Sequence, residues 1–187
     1  MRAICLIVCV LGLSACVESV APVDTGLYLE RSEAIVMELK ETLGAQLQAA
    51  MQSGGPLVAL PVCQQVAQPL TKSVSAQYPN ATVSRTALKV RNPENAADAE
   101  STAMMKGWVA ELAAGKSLEV SVVEHANRVV VHQPILTEQV CLKCHGARDT
   151  FAPELVNRLA ELYPEDAATG FKLGELRGAF RVEFSNE

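Results

Sequence analysis

Leu118-Glu119-Val120-Ser121-Val122-Val123-Glu124-His125-Ala126-Asn127-Arg128-Val129-Val130-Val131-His132-Gln133-Pro134-Ile135 is the stretch that decides the fold. Two β-branched runs, 118–123 and 128–135, are joined by a short polar segment, which predicts a β-hairpin. Beyond it, Pro153 opens a short helix to Tyr163, and Gly170 to Gly178 reads as a glycine-spaced loop. Phe180, Val182 and Phe184 alternate with charged residues as a last strand. Before the hairpin, Asp98 to Ala114 reads as a helix capped by Asp98 and stopped by Gly115. Thr82 to Val90 alternates as a strand, closed by Arg91-Asn92-Pro93 and preceded by the turn Tyr78-Pro79-Asn80. Two helices lead the chain. Asp24 to Ser53 places Leu27, Ile35, Leu39, Leu43, Leu47 and Met51 at mostly four-residue spacing; Leu57 to Gln77 follows Gly54-Gly55-Pro56, with Pro61 near its first turns. Helices first, then an antiparallel sheet with a helix inserted, is an α+β arrangement.

The length of 187 residues suits one domain, and 49% hydrophobic against 20% charged residues supports a packed core. A net charge of −5 argues against a nucleic-acid partner. No apolar run reaches the roughly 18 residues a membrane-spanning helix needs.

Residues 1–15 read as a signal peptide: Arg2 is a minimal positive region and Ala3 to Leu13 an apolar stretch too short to span a bilayer. Leu13-Ser14-Ala15-Cys16 resembles the lipobox of bacterial lipoproteins, which makes Cys16 the expected lipidation site and membrane anchor and residues 16–29 a tether. Val17 follows where inner-membrane retention would call for aspartate, so the periplasmic side of the outer membrane is favoured. Cleavage removes Arg2, Cys5 and Cys9, leaving a charge of −6 and, apart from Cys16, three thiols: Cys63, Cys141 and Cys144.

Cys141-Leu142-Lys143-Cys144-His145 is the spacing of c-type haem attachment. Two thiols three positions apart reach the two vinyl groups of one macrocycle, and the adjacent histidine is placed to give iron its proximal nitrogen. A thioredoxin-like redox pair lacks its βαβ context, and a zinc site lacks a second pair of ligands. Cys63 is left over. In the helix expected for 57–77 it shares a face with Val66, Ala67 and Leu70, so it points inward either as a small buried hydrophobe or as a ligand. His125, His132, Met104 and Met105 compete for a sixth iron position.

Several blocks in order widen the argument: 85–95 (Arg85-Thr86-Ala87-Leu88-Lys89-Val90-Arg91-Asn92-Pro93-Glu94-Asn95), Pro134-Ile135, Cys141 to Gly146, Tyr163 to Ala167, and Gly174 to Ala179. Together they resemble the PAS-like c-type haem domain family of exported cyanobacterial and proteobacterial proteins, over about residues 30–184. The resemblance implies a PAS-like antiparallel sheet in residues 30–187, flanked by helices and carrying one covalent haem c on Cys141 and Cys144. It further implies His145 as proximal ligand and Cys63 as distal ligand. A thiolate ligand would stabilise ferric iron and lower the potential. Relatives often carry the domain before membrane and kinase segments; here the chain ends at Glu187, so a redox or signalling partner is expected. Ala97 and Ala99 stand beside Asp98 where the family leads us to expect proline or an aromatic.

Arg85, Lys89 and Arg91 alternate on the expected strand and would share a face suited to haem propionates, or would form a solvated basic edge. Trp108 is expected in the core. The leading expectation is a lipid-anchored monohaem protein for redox or ligand sensing or for electron transfer. A peroxidase-like enzyme would need an open distal site served by His125 or His132, and no catalytic constellation is evident. A non-haem lipoprotein with a Cys141–Cys144 disulfide is the third reading.

Overall fold

The computed structural model describes residues 24–185. The leader assigned to residues 1–15 and the lipidation site Cys16 lie outside the described residues. Asp24 caps the first helix, α1 (Thr25–Gly54), by accepting the Leu27 N–H at 3.2 Å, so the helix begins within the stretch assigned to the tether. A spacing of four drifts by about 40° per step around a helix of 3.6 residues per turn. Only the middle of the apolar stripe therefore meets the sheet: Ile35, Val36 and Leu39 are buried, whereas Leu27 is exposed. Gly55, at φ 73°, breaks the helix.

The expected continuous helix over 57–77 is instead three pieces: α2 (Pro56–Pro61), a π-helical turn (Val62–Val66) and α3 (Ala67–Ser75). The two prolines explain the break. Pro61 and Pro69 have no N–H to return to the preceding turn, and the Ala67 N–H reaches back five residues to the Val62 carbonyl. The wider turn shifts the helical register. Ala67, Thr71 and Val74 carry the buried face of α3, while Cys63, Val66 and Leu70 are only half-buried.

Four antiparallel strands follow: β1 (Ala81–Thr86), β2 (Ser121–His125), β3 (Arg128–Leu136) and β4 (Leu176–Ser185), in the order β1-β4-β3-β2. The hairpin forms as expected, with a tighter turn: His125 pairs with Arg128. The last strand becomes the centre of the sheet, pairing Phe184 with Ala81 on one side and with Val129 on the other. One face packs Val83, Val131, Val182 and Phe184 against α1. The alternate residues His132 and Arg181 face α4 (Ala99–Ala113), which Asp98 caps through the Ser101 N–H at 2.7 Å. Met105 and Trp108 of α4 close that layer on Leu176 and Ala179, and Ala97 packs against the same cluster.

The first strand is shorter than the alternation over 82–90 suggested. At Ala87 the chain leaves β4 for a parallel bridge with Ala96, its N–H bonded to the Asn95 carbonyl at 2.9 Å. Lys89 and Arg91 are therefore loop residues and do not share the face of Arg85. Gly178 permits this departure, since a Cβ there would stand 2.5 Å from the Thr86 carbonyl oxygen. Among the described residues no helix is long and apolar enough to cross a membrane.

Candidate haem-attachment site

The Cys141–His145 segment is helical from Leu142 onward. Leu142–His145 forms a single helical turn, α5, closed by the His145 N–H on the Cys141 carbonyl at 2.8 Å. Gly146 must follow it: a Cβ at this position would lie 2.6 Å from the Leu142 carbonyl oxygen. The turn is then tied to the segment before β4, because Phe171 N–H donates to the His145 carbonyl at 3.0 Å and Gly170 N–H to the Gly146 carbonyl at 2.8 Å.

His145 has one ring nitrogen committed. Its Nδ1 lies 2.7 Å from the Ala168 carbonyl oxygen, which can only accept, so Nδ1 carries the proton and Nε2 keeps its lone pair. Burial, with the charges of Arg177 and Arg91, pushes the imidazole pKa down to about 3, so the ring is neutral near pH 7. Phe171 meets it edge-on, with ring centroids 6.4 Å apart.

Behind this histidine stands a support that sequence reasoning missed. Asp166, its side chain wholly inaccessible, accepts the Ala168 N–H at 2.9 Å and so fixes the carbonyl that holds His145. Arg91 donates to Asp166 from Nε and Nη2 at 3.1 and 3.0 Å, and from Nη2 to the Cys144 carbonyl at 2.6 Å. Burial raises the Asp166 pKa, but the Arg91 bonds and charge and the Ala168 N–H bring it below the usual carboxylate value. Arg91 therefore organises the attachment turn; with Nε and Nη2 committed to this loop and its charge matched by Asp166, it is not the free propionate partner expected from strand alternation.

Cys63, Cys141 and Cys144 are unbridged thiols in this structure. Burial pushes the Cys144 thiol up to about 11 and also raises Cys63, against the pull of Arg91, Arg85 and Arg177. The π-helical turn brings Cys63 within electrostatic reach of Cys144. Among the described residues no group of three or more His, Cys, Asp or Glu side chains is arranged to hold a metal ion. Cys63 thus neighbours the CxxCH turn without joining it in a zinc-like cluster.

The other candidate ligands lie elsewhere. His132 is fully buried, with Nε2 2.9 Å from Ser101 Oγ, and His125 pairs with Glu100 at 2.9 Å. Met105 is buried in the Trp108 cluster, with Met104 packed against it. The charges of Arg85 and Arg177 both act on Cys63. Arg177 went unnoticed in sequence because it sits in a glycine-flanked segment that read as loop. An apolar cavity of about 610 Å³ adjoins the site, sharing Lys89, Phe171 and Arg177 with it, but none of the cysteines lines it.

The residues present fit a covalently held haem: two unbridged thiols and a histidine with a free Nε2 occupy one turn, and a third thiol comes from another element. An α+β fold organised around such a turn places the chain among proteins of one family. It belongs to the Tll0287-like family, whose model matches residues 25–185. Among solved structures it is similar to the crystal structure of the cyanobacterial heme-protein Tll0287. The two chains are 23% identical with a TM-score of 0.64, over 86% of this chain and 96% of that one, a likeness that shows a shared fold. No curated protein matches the chain.

Proposed function

We propose that this chain is an exported, lipid-anchored monohaem protein that holds haem c through Cys141 and Cys144 and serves redox or ligand sensing, or electron transfer. The reading is carried by one observation: His145 spends Nδ1 on the Ala168 carbonyl at 2.7 Å and leaves Nε2 free, on the same turn as two unbridged thiols. An orienting hydrogen bond on the far nitrogen is how ligating histidines are held and made more basic. Family membership and the heme-protein Tll0287 as a structural neighbour support the same reading.

Haem bound here would supply one-electron chemistry and an iron open to ligand exchange. The chain's own residues do the rest. Cys141 and Cys144 would hold the haem as thioethers, each thiol adding its S–H across a vinyl group. His145 presents Nε2, and the Arg91–Asp166–Ala168 support keeps it in place. Cys63 would supply the sixth ligand; His125, His132, Met104 and Met105 are engaged in other clusters. The Cys16 anchor would hold the protein on the periplasmic side of a membrane, the outer one favoured by Val17, where a redox or signalling protein reads its state.

The test is the absorption spectrum, oxidised and dithionite-reduced, of protein exported with the cytochrome c maturation machinery. Low-spin ferric thiolate features that disappear in Cys63→Ala support the assignment. A high-spin ferric spectrum untouched by that substitution would remove Cys63 and reopen the enzyme reading.

A further inference from the structure

Two guanidinium groups beside the site have no anionic partner among the described residues. Arg85 donates from Nη2 to Gln68 Oε1 at a long 3.5 Å, and its Nε has no partner. Arg177 reaches the Lys89 carbonyl at 3.4 Å and lies 5.3 Å over the Phe171 ring. Neither forms an ion pair, whereas the third neighbouring guanidinium, that of Arg91, is matched by Asp166 at 3.0 Å. Burial makes the charge unfavourable in both: it pulls Arg85 below the ordinary arginine value and Arg177 down to about 10. Charges withdrawn from water are retained where a partner of opposite sign completes them.

We infer that Arg85 and Arg177 are the receptor for the two propionate carboxylates of the haem, one guanidinium to each. The inference rests on the haem reading above. Geometry and charge count point the same way. Arg177 lies over the Phe171 ring, whose edge meets His145, and Arg85 reaches Gln68 just past the turn that carries Cys63, so both border the site; both also act on Cys63. A Cys63 thiolate supplies one negative charge, too few for two half-buried cations, while two carboxylates match them fork to fork. Sequence alternation paired Arg85 with Arg91; the fold replaces Arg91 by Arg177, because Arg91 is spent on Asp166 and Arg177 enters β4 at the edge of the site.

The test uses the exported, haem-loaded full-length protein with R85Q, R177Q, R85K and R177K, and R158Q on the exposed face of the helix over 153–162 as control. Midpoint potential and the propionate carboxylate bands of the redox-difference infrared spectrum are the readouts. Each glutamine variant is expected to lower the potential, since losing a cation near the iron favours the ferric charge, and to shift a carboxylate band. Each lysine variant should restore the potential toward wild type while the band stays shifted, because an ammonium lacks the bidentate fork. R158Q should match wild type in both. Unmoved carboxylate bands in haem-loaded Arg85 and Arg177 variants overturn the inference and leave the haem reading standing. If the glutamine variants fail to mature, unmoved bands in R85K and R177K overturn it equally. A wild-type chain exported without haem overturns the haem reading and this inference with it.

Discussion

Arg91 and Asp166, 75 residues apart, form a buried ion pair at 3.0 Å. The pair joins the loop after β1 to the segment before β4, and through the Cys144 and Ala168 carbonyls it holds the C-terminal end of the attachment turn. It is a long-range fastener for a short helix that could not persist alone.

Removing Asp166 strands the buried Arg91 charge, and removing Arg91 leaves Asp166 only the exposed Arg148 at 3.6 Å. Arg91→Gln or Asp166→Asn should therefore destabilise the protein by about 3–5 kcal/mol in a urea titration. Replacing both with apolar residues of similar volume should cost much less. Because the Asp166 pKa is lowered on folding, its contribution is complete above about pH 4, the unfolded carboxylate value, and fades as pH falls through the folded one. Equal losses in the single and paired variants would show that the pair is not acting as a unit.

His132 sets a second pH dependence with a different window. Burial, followed by the Arg181 charge, lowers its pKa against the opposing pull of Glu100 and Asp98. The unfolded chain then binds a proton that the folded chain resists. Stability should fall as pH drops below about 6.5 toward 5. His132→Gln, which can keep the bond to Ser101, should reduce that slope and leave the part that His145 contributes in the same window; a slope unchanged in the variant would assign all of it to other groups.

Two glycine substitutions should move stability in opposite directions. Gly146→Ala drives a Cβ to within 2.6 Å of the Leu142 carbonyl oxygen and should cost about 1–3 kcal/mol, with less covalent haem per polypeptide. Gly44→Ala, in the interior of α1 with nothing within 4 Å, should stabilise by about 0.5–1 kcal/mol. Thermal melts of the two variants beside wild type decide both.

Cys63 can be probed by changing the sulfur it offers. Cys63→Met keeps a sulfur and removes the charge, so the midpoint potential should rise. Cys63→Ala should leave an open site that binds carbon monoxide when reduced. Wild-type potentials in both variants would place the sixth ligand elsewhere.

What the sequence revealed and what it hid follow from the range of the interactions. The hairpin was legible because Val129, Val130 and Val131 declare a strand locally, and α1 because Ile35, Leu39 and Leu43 recur on one face. The second helix misled because Pro61 and Pro69 act together, turning a simple period into a π-helical turn that re-aims Cys63. Strand β1 misled because the bridge from Ala87 to Ala96 competes with the sheet beyond the reach of any alternation. At the site, Cys141, Cys144 and His145 were legible from spacing alone. Asp166 carries no local signal of its role, since its partner lies 75 residues away. The Ala168 carbonyl has no side-chain signal, because every residue carries one.

The central claim is the covalent bond between Cys141, Cys144 and haem. Its most direct measurement is the intact mass, with haem staining, of denatured protein exported with the maturation machinery, wild type beside Cys141→Ala/Cys144→Ala. The account predicts one haem retained through denaturation by the wild type and none by the double variant. A wild-type chain with the mass of the bare polypeptide would contradict it.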